Sequence, residues 1–157
     1  MLDQIIYDTA TKNGMPPNLA KLIVAQAKLE SANFTSPVFK ANNNLFGYKY
    51  VGQAIASKGT PAPKKEGDFY AKYKRIEDSV KELTDWIKRR VNEGIFPKDL
   101  TTIKTPGQYA TLLKRKNYYG VSVPHYTKGL QRYFKAITGV SGLLILGAVG
   151  LFLLLKN

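Results

Sequence analysis

From Ile137 to Leu155 the chain reads ITGVSGLLILGAVGLFLLL, with no charge and only Thr138 and Ser141 as polar side chains. A helix of that length reaches about 28 Å at 1.5 Å per residue, close to the ~30 Å of a bilayer's hydrocarbon core. A buried helix of a globular domain rarely lacks a polar face altogether, whereas Gly139, Gly142, Gly147 and Gly150 are at home in a membrane helix. Their spacing is not GxxxG, so it signals no dimer. The run divides the chain into a domain at residues 1–135 and a single-pass C-terminal transmembrane anchor at 136–157. The opening MLDQIIYDTATKNG begins acidic and has no apolar stretch, which is not the form of a signal peptide. The basic flank ahead of the run is expected to hold the domain on the cytoplasmic side, or inside an equivalent compartment.

The charge narrows the choice of partner. Lys and Arg number 24 against 11 Asp and Glu, a net +13, and every acidic residue lies at or before Asp99. Lys104, Lys114, Arg115, Lys116, Lys128, Arg132 and Lys135 follow with no carboxylate among them. An anionic partner is implied: wall polymer, anionic lipid or nucleic acid. No helix-turn-helix, RNA-recognition or zinc-finger signature supports nucleic acid. Arg132 and Lys135, just before the apolar run, suit lipid headgroups. The absence of cysteine rules out disulfide frameworks and thiolate zinc modules. His125 stands alone, so a multi-histidine metal site is excluded and no cofactor is expected.

The domain reads as mainly α. Leu2, Ile5 and Ile6 give a first short helix, stopped by Gly14 and Pro16-Pro17. A second helix is expected over 18–31. A third is announced by Ser79-Val80-Lys81-Glu82, which fits a capping box, and ends at Gly94. Thr105-Pro106-Gly107-Gln108 has the same form and starts a fourth. Pro124 starts a last helix that can run on into the apolar segment. Residues 48–75, rich in Gly, Pro, Tyr and Lys, read as a hairpin excursion.

On the second helix, Leu19, Leu22, Ile23, Gln26 and Glu30 share one face at 100° per residue. A glutamate at the end of an apolar stripe is paired, reaches solvent or is meant to be protonated. Partial burial favours the neutral carboxyl, and a neutral carboxyl near pH 7 is a general acid.

Three ordered blocks extend this reading: AQAKLES at 25–31, NNLFGYK at 43–49 and YAKYKRIEDSV at 70–80. Together they resemble the bacterial endo-β-N-acetylglucosaminidases of cell-wall remodelling, glycoside hydrolase family 73, which includes the flagellar-rod type. The family's pattern is AQAxLES, NNLFGxK, a β-hairpin and a block like FRxYxSxxDS. A weaker fourth block, YGVSVPHYTKGL at 119–130, resembles its closing YxTDPxYxxKL. The resemblance spans about residues 2–135 and implies a lysozyme-like helical fold with a small β-hairpin lobe. It also implies a peptidoglycan substrate, cut at β-1,4 glycosidic bonds.

By that resemblance Glu30 is the acid that protonates the leaving oxygen. Asn43, Asn44, Leu45, Phe46 and Gly47 support the cleft floor and β lobe. Adjacent amides can also meet saccharide hydroxyls and N-acetyl groups, and Gly47 permits a tight turn. Tyr119 matches a cleft tyrosine, with Tyr118 as the one-position alternative. The family's second acid lies on the hairpin, where this chain offers Glu66 or Asp68. Glu66 is favoured, since Lys64 and Lys65 beside it would keep it ionised. Ala71 stands where the family has arginine.

Without a second acid, Glu30 alone would support a lytic transglycosylase, or the substrate's own N-acetyl oxygen would attack. A short hairpin and a missing arginine also permit a structural protein that has kept the fold and lost turnover. The missing signal peptide, the anchor and the wall-hydrolase blocks together suggest a bacteriophage enzyme carried by a virion's internal membrane. The sequence does not fix the oligomeric state.

Overall fold

The computed structural model describes residues 2–64 and 67–137. Six helices and one two-stranded sheet make up the described part: α1 (Leu2–Lys12), α2 (Pro17–Glu30), α3 (Pro37–Asn42), β1 (Ser57–Pro61), β2 (Phe69–Lys72), α4 (Ile76–Asn92), α5 (Pro106–Lys114) and α6 (Val123–Ile137). A 3₁₀ turn at Leu100–Thr102 precedes α5.

The second helix is the centre of the molecule. Leu19, Ala20, Leu22, Ile23, Val24, Ala25, Gln26 and Ala27 are all buried, so it is covered around most of its circumference and not on one stripe alone. It packs against α1 and α6, while α4 closes the far side of α1 and α5 that of α6. Asn18 ties the start of α2 to the chain ahead of α5, donating to the Ile103 and Lys104 carbonyls at 3.0 and 2.8 Å.

The expected hairpin is present. β1 and β2 pair antiparallel, with Ser57 opposite Lys72 and Lys58 opposite Ala71, and a bulge shifts the register before Pro61 meets Phe69. The chain at 48–50 lies along the other edge of β2: Ala71 N–H donates to Tyr48 O, and Tyr50 N–H to Phe69 O, both at 2.9 Å. Ala71 is wholly buried in this lobe.

Helix starts divide between expectation and correction. At α5, Gln108 N–H donates to Thr105 Oγ1 (3.2 Å) and Thr105 N–H to Gln108 Oε1 (3.1 Å), the expected reciprocal cap. The third expected helix, α4, begins at Ile76, a turn before Ser79. Its N–H-to-carboxylate contact is Arg75 N–H to Asp78 at 3.2 Å. Ser79 is buried inside the helix instead, where its Oγ accepts from Leu45 N–H at 3.1 Å.

The expected boundary at 135 falls within α6. No helix among the described residues is long and apolar enough to cross a membrane. The apolar run beyond Ile137 lies outside the described residues.

Candidate active site

Glu30 is the last residue of α2, and a left-handed turn stops the helix immediately after it. Ala32, Asn33 and Phe34 all have positive φ (50°, 54° and 66°), which side-chain-bearing residues seldom adopt. Buried Ser31 pins the turn: its hydroxyl donates to Ala27 O at 2.6 Å and accepts from Phe34 N–H at 2.9 Å. Backbone strain of this kind collects where a side chain must be held in one place. Here it fixes the carboxyl of Glu30 at the helix end.

The carboxyl faces α6. Tyr126 donates its phenolic O–H to Glu30 Oε1 at 2.6 Å. The two helices approach closely beside this pair: a Cβ on Gly129 would stand 2.8 Å from Leu29 Cδ1. Burial pushes the Glu30 carboxyl above its ordinary range, and the Tyr126 hydrogen bond pulls it only part of the way back. The negative end of α2 acts in the same direction as burial. Tyr126 is pushed upward too, first by burial and then by the Glu30 charge, so it remains a protonated donor.

Behind the pair lies a bed of phenols. Tyr109 donates to Gln26 Oε1 at 2.6 Å, and Tyr119 stacks flat on Tyr126 with ring centroids 3.7 Å apart. Tyr48 and Tyr118 meet edge to face at 6.3 Å. Burial raises the pKa of Tyr48, Tyr109 and Tyr118, and the Glu30 charge adds to each. Tyr118 lies near enough to ease ionisation of Tyr48, yet neither hydroxyl has a partner in hydrogen-bond geometry among the described residues.

Glu30 opens into a groove of about 830 Å³. Leu29, Glu30 and the Tyr119-Gly120-Val121 segment line one part of it; α6 lines the rest with His125, Tyr126, Lys128, Gly129, Gln131, Arg132 and Lys135. Lys114 shapes the wall from behind, donating its ammonium to the Tyr119 and Val121 carbonyls at 3.1 and 3.0 Å.

The residues singled out in the sequence fall into three places. Glu30 and Tyr119 line the groove. Tyr119 does so with its ring, since its hydroxyl donates to Ala110 O at 2.9 Å. Tyr118 is half-buried against Trp86 (5.5 Å) and Tyr48 and does not line the groove.

Asn43, Asn44, Phe46 and Gly47 frame the β lobe. Asn44 is buried, donates to Tyr48 O and Ala71 O at 2.9 Å each, and accepts from Tyr48 N–H at 3.1 Å. Asn43, in a left-handed conformation, donates to Tyr73 O and Lys74 O. Phe46 packs its edge on Tyr48, and Gly47 turns the chain at φ 68°. These amides are engaged with backbone, so they shape the lobe.

Asp68 is exposed at the foot of β2 and is not among the groove residues. Glu66 lies outside the described residues. The sequence reading did not single out Tyr126 or Tyr109 for the site. Among the described residues no cluster of three His, Asp or Glu could hold a metal ion.

Residues 4–138 match the Glucosaminidase family, described as mannosyl-glycoprotein endo-β-N-acetylglucosaminidase. The fold is similar to the crystal structure of the catalytic domain of the autolysin Auto from Listeria monocytogenes. The TM-score is 0.57 at 22% identity, covering 86% of this chain and 79% of that one. At that identity the likeness is one of fold. No curated protein matches the sequence.

Proposed function

The chain belongs to the glucosaminidase family of glycosidases, and from that premise we propose that it cuts the β-1,4-linked glycan strand of peptidoglycan with Glu30 as general acid. The observation that carries this is a carboxyl held at a helix end, raised by burial, hydrogen-bonded to Tyr126 and opening into the groove. A neutral Glu30 donates its proton to the leaving glycosidic oxygen. The carboxylate then formed keeps one fixed donor, Tyr126, which stabilises the charge as it appears.

The second step needs an oxygen nucleophile at the anomeric carbon. We assign Glu66, in the β1–β2 connection, as the base or nucleophile; Lys64 and Lys65 next to it favour its ionised form. Asp68 is the alternative on the same connection. If neither acts, the sugar's own 6-hydroxyl closes on the anomeric carbon, as in a lytic transglycosylase, or its N-acetyl oxygen attacks.

Product analysis on purified peptidoglycan separates these routes. A reducing N-acetylglucosamine end is expected; an anhydro-muramyl end would mean transglycosylase chemistry. With Glu66→Gln, a loss below tenfold would remove Glu66 from the mechanism. Retained binding with no clearing of cell walls by the wild-type chain would instead favour a structural role.

The apolar run at 137–155 supports membrane anchoring of the same chain. A wall-cutting domain on the inner side of a cell membrane has no substrate, so we place the enzyme in a bacteriophage particle with an internal membrane, acting at infection or lysis. Protease protection on intact particles and cells tests this. Exposure on the outer face of an ordinary cellular membrane would overturn it.

A further inference from the structure

The groove has a charged wall that the acid chemistry does not use. His125, Lys128, Arg132 and Lys135 follow one another at spacings of 3, 4 and 3 on α6 and all line the groove with Glu30. At 100° per residue they fall within an arc of about 80°. Glu30 is the groove's only acidic residue among those described. Lys128 and Arg132 are exposed and, among the described residues, neither is paired with a carboxylate.

Such a wall is not needed to bind sugar rings, which carry hydroxyls and amides. Nor does it tune the acid, because burial and Tyr126 are what act on Glu30. Lys128 and Arg132 stand four residues apart, about 6 Å along the helix. An arginine fork takes a carboxylate through two N–H donors and a lysine takes another as a point charge.

Resting on the peptidoglycan reading above, we propose that the Lys128–Arg132 stripe is a subsite for the carboxylates of the stem peptides that project from the glycan strand. The enzyme therefore prefers peptide-bearing strands to bare ones.

The test uses the full chain and its Lys128→Gln/Arg132→Gln variant. One substrate is intact peptidoglycan; the other is strands stripped by an amidase, which hydrolyses the lactyl amide, so that the peptide leaves and a lactyl carboxylate is freed on the sugar. The expected result is wild-type preference for intact strands. On those strands the variant's kcat/KM falls about tenfold through KM, the order expected of two exposed ion pairs. Turnover of stripped strands stays within twofold, with an unchanged melting temperature.

Equal losses on both substrates would overturn the proposal. So would no loss on intact strands, including the case in which the variant loses only binding to vesicles of anionic lipid. A wild-type chain that cuts neither substrate would overturn the peptidoglycan reading itself.

Discussion

A carboxyl at the C-terminal end of a helix, sunk among apolar side chains and phenols, is driven toward its neutral form from two sides. Glu30 is in that position, and the consequence reaches stability as well as chemistry. The unfolded chain releases this proton near the ordinary value of 4.5, the native chain at higher pH. Between those points the native state binds more protons, so the contribution is full below 4.5 and is lost as pH rises through the native pKa. Glu30→Gln, which stays neutral, is therefore expected to melt higher than wild type at pH 7 and to match it near pH 4; thermal unfolding at both values checks this.

Tyr126→Phe keeps the ring stacked on Tyr119 and removes only the donor to Glu30. Because that bond lowers the Glu30 pKa, the alkaline limb of the pH–rate profile should move to higher pH while kcat falls. An unmoved limb would show that Tyr126 has no hold on the acid. Glu30 was legible in the sequence as a misfit on an apolar stripe. Tyr126 was not: a tyrosine on the apolar face of α6 looks like core until α2, 96 residues away, is packed against it.

Around that pair, short elements set the geometry by close backbone contacts. Asn42 clamps β1 to α3: its Oδ1 accepts from Thr60 N–H (3.0 Å) and its Nδ2 donates to Thr60 Oγ1 (2.8 Å). This clamp leaves no room at Gly59, where a Cβ would press on the Asn42 carboxamide and stand 2.7 Å from Tyr70 O. Gly59→Ala should cost about 1–3 kcal/mol and loosen the lobe that carries the hairpin. Urea unfolding reads the cost, and hydrogen exchange at Ala71 reads the loosening.

The hairpin, the Pro106 start of α5 and the Thr105 cap were readable, because Gly, Pro and Thr announce local geometry, whereas α3, which Pro37 starts, was not among the expected helices. The left-handed turn at Ala32, Asn33 and Phe34 contains no glycine, so nothing in AQAKLESANF announced it. Its support is a local bridge, the Ser31 hydroxyl between Ala27 O and Phe34 N–H, whose burial only the packed fold shows. Ser79 misled for a related reason: its hydroxyl serves the Leu45 backbone and does not cap its own helix.

Over the whole molecule, the net +13, whose share beyond Asp99 is cations alone, resolves into distinct uses. Lys114 braces the groove wall from within, Lys116 pairs with Glu93 at 3.2 Å, and Lys128 with Arg132 lines the groove. Charge arithmetic could point to an anionic partner but could not say which cations face it. The fold class was visible in the ordered blocks, and residues 4–138 match one family. The decisive experiment is release of reducing ends from purified peptidoglycan by wild type and by folded Glu30→Gln. The variant should lose about a thousandfold or more, the range of a positioned general acid. Turnover within tenfold of wild type would contradict the assignment of Glu30, and with it the site built around it.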